Sequence, residues 1–156
     1  MGRLSRLALL GAVAGAAGTT ALNVVTYLDM AVRGRPASST PEDTVERLSE
    51  VVHVPVPGTG EVRTNRVAGL GPLTGLLAGV GVGALLGLTR AAGWRPGLGA
   101  ATAAATLGAL VGTNGPMTVL GVTDPRTWPA SSWVADIVPH LAYGAVTAAV
   151  LHRLDD

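Results

Sequence analysis

The chain has no cysteine, no phenylalanine and no lysine, and all eleven of its basic residues are arginine. Without cysteine there is no disulfide framework, no thiolate nucleophile and no cysteine-held metal. Charged residues make up only 13% of the sequence and aromatics 3%, and the formal net charge is +1. The arginines are scattered between apolar segments, so the dense basic surface that nucleic acid requires is missing. The glycine runs lack the Lys-Ser/Thr ending of a phosphate loop, and no serine or threonine sits in a nucleophile's context. Only three histidines are present, and His140 and His152 fall at opposite ends of one helical pattern, which leaves too few convergent ligands for zinc. The sequence therefore predicts a non-enzymatic protein with no catalytic residue, cofactor or metal.

What remains is apolar and small. Hydrophobic residues make up 48% of the 156, with 22 glycines and ten prolines, and the mean hydropathy is +0.44. That balance is too apolar for an ordinary soluble domain and reads as one integral membrane domain over 1–156. Heavy use of Ala, Gly, Pro and Arg fits a GC-rich bacterial genome, and so a bacterial plasma (inner) membrane.

The centre of the pattern is 69–88, a run without charge in which Gly71, Gly75, Gly79, Gly83 and Gly87 recur at every fourth position. In water each glycine would cost a helix about 1 kcal/mol relative to alanine. In lipid the backbone has no competing partner, and a bare stripe lets a second helix approach closely. Gly11, Gly15, Thr19 and Asn23 form a matching four-spaced face in the first apolar segment, and Ala100, Ala104, Gly108 and Gly112 form another in the third. The partner of the main stripe is expected within the chain, with a homo-oligomer or another membrane protein as the alternative.

Taken in order, the expected fold is all-α, a four-helix transmembrane bundle with spans near 4–30, 67–88, 97–122 and 132–154. The first segment carries Arg3 and Arg6 before its apolar run, as a signal peptide would, but it is longer than a signal core needs and reads as a retained helix. A short amphipathic helix at 41–54 occupies the first loop. Thr40 is its expected cap, with Pro41 at the first helical position and Glu42 and Asp43 at the positive end of the dipole. Proline at 116 predicts a kink or break near Asn114-Gly115-Pro116, and Pro139 lies within the last span. Four crossings put both chain ends on one side, and the arginines of the short segments there favour the cytoplasm.

Polar residues inside spans are the best functional pointers in such a chain. Counting about 1.5 Å per residue, Asn23, Asn114 and His140 fall at a common depth reached from one face. Asp136, His140, Tyr143 and Thr147 share one side of the last helix, and Asp29 faces the same mouth. A carboxylate beside an imidazole is a workable proton relay, which suggests a small transporter or ion channel as one alternative and lipid-headgroup binding as another. The same histidine can instead serve structure, by bonding a carbonyl freed at the proline. Membrane lipids are the expected partners, and nucleic acid is not.

Gly121-Val-Thr-Asp-Pro125, followed by Trp128 and His140-Leu141, resembles the uncharacterised bacterial inner-membrane proteins typified by YagU. The resemblance covers the last loop and helix, about a quarter of the chain. It implies a multi-span inner-membrane protein and says nothing of a cargo.

Overall fold

A computed structural model describes residues 2–155. Among these the chain is all-helical, with no strand: α1 (Arg3–Arg33), α2 (Thr40–Val51), α3 (Gly60–Ala91), α4 (Leu98–Val119) and α5 (Ala130–Asp155), plus one 3-10 turn at Pro125–Thr127. Three helices, α1, α3 and α5, are long and apolar enough to cross a membrane, not the four expected. The span anticipated at 97–122 falls short in composition rather than length. Its helix has 22 residues but stops at Val119, and Thr113, Asn114, Gly115 and Pro116 dilute its apolar side chains. The helix runs unbroken through Pro116, where a kink or break is expected. The hydroxyls of Thr113 and Thr118 donate to the carbonyls of Ala109 and Asn114, at 2.9 and 2.7 Å, and line the helix on both sides of the proline.

The apolar pattern marks the span rather than the helix, so three helices outrun their expected limits. α1 continues to Arg33 and ends at Gly34, whose φ of 62° places it in the left-handed region that glycine adopts freely. α3 begins at Gly60 rather than 67, because Glu61, Arg63 and Arg66 add no apolar pattern but are good helix formers. α5 begins at Ala130 rather than 132.

α3 lies against α1, α1 against α5, and α5 against α4, with a thinner α3–α4 contact closing the ring. Where Gly11 and Gly15 of α1 meet Gly83 and Gly87 of α3, no side chain intervenes. A Cβ added to Gly83 would come within 2.6 Å of Gly15 Cα, and one added to Gly11 within 2.9 Å of Gly87 N. At Gly79 the obstacle would be the Thr19 side chain. The pairing of low numbers with high ones makes α1 and α3 antiparallel and puts both described chain ends at one end of the bundle. Two positions of the stripe behave differently. Gly71 abuts the start of α2, with Glu42 N 3.1 Å from where its Cβ would be, and Gly75 has nothing within 4 Å. On the other side of α1, a Cβ on Gly18 would strike Thr147 and Tyr143 of α5, and one on Gly144 would strike Thr102 and Thr106 of α4. The buried row of α4 is Ala101, Ala105 and Ala109, one position on from the expected Ala100, Ala104, Gly108 and Gly112.

The result is inverted relative to a water-soluble bundle. Its interior is glycine, alanine and threonine around Tyr143 and Leu7, while Leu9, Val24, Leu77, Leu85, Leu107, Val111 and Leu141 are exposed. An exterior so rich in branched aliphatics is not a surface that water tolerates over a large contiguous area.

α2 crosses the bundle end opposite the chain ends. It runs from Thr40 to Val51, with Ser39 rather than Thr40 as the flanking residue. Val45 packs with Val56 and Val67 beneath it. Two Arg63–Glu46 hydrogen bonds tie it to α3, one of 2.6 Å between Arg63 Nη1 and Oε1. On the far side Arg47 Nε donates to the Leu120 carbonyl at 3.2 Å. The hydrogen bond from Arg63 holds the Glu46 carboxyl below its ordinary value of 4.5. A depressed carboxylate contributes stability above its unfolded pKa and loses it as pH falls through the folded one. Amide exchange in α2 is accordingly expected to speed up on acidification below about pH 4, beyond the intrinsic pH effect, and Arg63→Gln should abolish that excess. An excess that persists in Arg63→Gln would show that the pair does not hold the helix.

Candidate functional site

Beneath α2 the helices part to leave a cavity of about 610 Å³, lined from all five. Asn23 and Thr19 reach it from α1, Glu42 from α2, Gly75 and Gly79 from α3, Asn114 and Thr113 from α4, and Asp136, His140 and Tyr143 from α5. Asn23, Asn114 and His140, placed at one depth by counting residues, thus share one space. Asp29 does not line it. Its carboxylate instead binds Arg33, at 3.4 Å, and Arg35, and both arginines stand at the rim.

The cavity exists because small residues hold the helices together only in the other half of the bundle. Below Thr19 and Gly79 the backbones of α1 and α3 touch; above them Gly75 and Asn23 have open space. Tyr143, 1% exposed, forms the floor, and its hydroxyl donates to the Gly79 carbonyl at 2.7 Å. Pro139, also buried, has no N–H to offer the carbonyl of Ala135, so the last helix carries a backbone acceptor without its helical donor beside the space.

The polar wall is a connected set. Asn114 Nδ2 donates to Asp136 Oδ2 at 2.8 Å, and Asp136 Oδ1 lies 3.4 Å from His140 Nδ1. His140 Nδ1 is nearer still, at 2.8 Å, to the backbone carbonyl of Asp136, and its Nε2 is 3.3 Å from Thr113 Oγ1. A carbonyl only accepts, so Nδ1 carries a proton. Thr113 has one hydroxyl proton and a closer acceptor for it, the Ala109 carbonyl. With that proton committed, Nε2 also faces an acceptor, the arrangement that suits an imidazolium. With the hydroxyl turned round, Thr113 donates to a neutral ring. One rotor therefore accommodates both charge states.

The chain matches no family model, no curated protein and no solved structure. The site is consequently read from its own chemistry.

That chemistry turns on Asp136, whose side chain is 18% exposed. One hydrogen bond to an ionised group contributes about 1.5–3 kcal/mol, while withdrawing a carboxylate from water costs several. The Asn114 amide alone does not offset that cost. A proton on His140, 3.4 Å away, or a cation in the cavity would each add to the amide's contribution. The ladder anticipated from Asp136 through His140 and Tyr143 to Thr147 is not continuous. Tyr143 turns across to α3, and Thr147 is buried with its hydroxyl unpartnered against Gly18. Thr113 was not singled out in the sequence, although a Thr-Asn pair on an uncharged helix was a signal for it. Glu42 was read only as a helix-start acid; its place in the cavity depends on how α2 packs on Gly71, which no local pattern records.

Proposed function

We propose that this protein is a small non-enzymatic membrane module that holds a small ligand in a cavity open to one side only. In this reading four helices cross a bacterial plasma membrane, α4 lacking an apolar stretch as strong as those of α1, α3 and α5 because it supplies the polar wall. Its 22 residues span about 33 Å, enough for a bilayer's hydrocarbon core. The glycine and small-residue faces are spent within the chain, Gly79, Gly83 and Gly87 against Thr19, Gly15 and Gly11, which favours a self-contained bundle over a homo-oligomer built on that stripe. The observation that carries the reading is the convergence of Asn23, Asn114, Asp136 and His140 on one space above a packed floor.

A through-channel is less favoured, because Tyr143 closes the floor and the helices beyond it touch backbone to backbone. Resemblance to the YagU-type proteins would be consistent with the membrane setting and adds no ligand.

The absence of cysteine makes the test clean. Single cysteines at Asn23, Gly75 and Leu107, in sealed vesicles, report water access through a membrane-impermeant maleimide. Asn23→Cys and Gly75→Cys should be labelled from the α2 side alone, and Leu107→Cys, on the apolar exterior, from neither. Labelling from both sides would replace the module by a channel. Protection of both cavity positions would end the reading.

A further inference from the structure

Resting on the one-sided cavity, we propose that its ligand is an organic monocation, an ammonium on an apolar body, with Asp136 as counter-ion and the His140 proton as its competitor.

The charges lining the space point to a cation rather than an anion. The two arginines lining it share Asp29, which offsets one of their two charges. The two remaining acids are not so engaged. Asp136 has only an amide and an imidazole, and Glu42 keeps a buried Oε2 with no hydrogen-bond partner. Against Arg33 and Arg35 stand Asp29, Glu42 and Asp136, three carboxylates to two guanidiniums, so the excess charge that a ligand meets is negative. Tyr27 and Trp128 line the same space, and aromatic rings attract cations. Leu22, Met30, Leu76 and Met117 supply apolar wall for the rest of such a ligand.

The competition follows from the same atoms. The titratable or charged groups lining the cavity with His140 are Tyr27, Arg33 and Arg35 from the α1 side, Glu42 from α2, and Asp136 and Tyr143 from α5; α3 and α4 contribute none. Of these only Asp136 lies within ion-pair range of the imidazole. A protonated His140 and a bound ammonium would therefore neutralise one carboxylate. When the ammonium takes it, the imidazolium loses its Nε2 proton to water. Thr113 then turns its hydroxyl from the Ala109 carbonyl to the bare nitrogen, a movement its position between the two allows. The ring keeps its Nδ1 proton on the Asp136 carbonyl throughout.

Calorimetric titration of the full chain in nanodiscs tests this, with benzyltrimethylammonium, benzenesulfonate and benzyl alcohol as cationic, anionic and neutral probes. The cation should bind at least tenfold tighter than either other probe at pH 8, and several-fold weaker at pH 5.5, where protons compete with it, than at pH 8. Titrations in buffers of different ionisation heat should show about one proton released per cation at pH 5.5. Asp136→Asn should lose the preference for the cation while circular dichroism shows the helices intact. His140→Gln should bind the cation with no pH dependence in this range. Should Asp136→Asn not fold, Glu42→Gln, at the mouth, is expected to weaken cation binding several-fold without altering its pH dependence. Equal binding of the neutral probe, or tighter binding of the sulfonate, overturns the cation while the cavity stands on its thiol labelling. Cation binding without proton release, or unaltered in Asp136→Asn, overturns the competition. Failure of every probe in a cavity whose thiols are labelled overturns the ligand class and leaves the cavity, while failure of both experiments removes both.

Discussion

Gly83→Ala is expected to destabilise the bundle by about 1–3 kcal/mol, the usual cost of forcing atoms into a filled contact. The new methyl would lie 2.6 Å from Gly15 Cα and closer still to the Gly11 carbonyl, and both obstacles are backbone. A flexible side chain could swing aside, but a backbone moves only if the two helices separate along their whole contact. Gly75→Ala is expected to do the opposite. The position belongs to the same four-spaced stripe, yet its methyl would meet nothing within 4 Å, and alanine is the better helix former by up to about 1 kcal/mol. Titration into a denaturing detergent, followed by circular dichroism, compares the two. Similar shifts for both variants would mean that α1 and α3 are not held at Gly83.

Those two glycines also mark how far the sequence could be read. Fourfold spacing made the stripe of α3 and its mate on α1 visible, because small residues stand out against leucine and valine. It could not show where along the stripe contact stops and the cavity begins, since Gly75 and Gly79 look alike and only the placement of Thr19 on α1 and Tyr143 on α5 separates them. Gly18 and Gly144 went unnoticed for a related reason: each is a notch for a threonine on another helix, and a single notch has no period. In α4 the buried row lies one residue on from the expected one, because alanine occupies both rows and size does not separate them. The amphipathic helix was legible from its proline and acids, which are local signals. At the site, residue counting set the depth of Asn23, Asn114 and His140, because helical rise is fixed. The partners were another matter. Asp136 taking Asn114, Tyr143 taking Gly79 and His140 taking Thr113 each join two helices, and depend on rotation about axes that spacing does not give.

Asp155→Ala should have the largest single effect, a loss of about 3–5 kcal/mol. Its carboxylate, 3% exposed, accepts from Arg90 Nη1 at 3.2 Å and from Arg95 Nη1 at 2.6 Å, at the end of the bundle away from the cavity. Arg90 itself is 5% exposed, and its other bond, to the Leu151 carbonyl, is long at 3.4 Å. Removing the acid would therefore strand a buried guanidinium, and that desolvated charge, rather than the lost attraction, supplies most of the cost. Arg95→Ala should cost under about 1 kcal/mol, because its side chain is 47% exposed and water replaces the partner. The decisive variant is the double replacement Arg90→Met/Asp155→Leu, which removes both charges and keeps apolar volume. It should recover most of the loss, since nothing is then left unpaired in the interior. Thermal unfolding in detergent would rank the three. If Arg95→Ala proved as costly as Asp155→Ala, the exposed bond would be the one that matters; if the double variant were no better than Asp155→Ala, the penalty would lie in lost packing and not in a stranded charge.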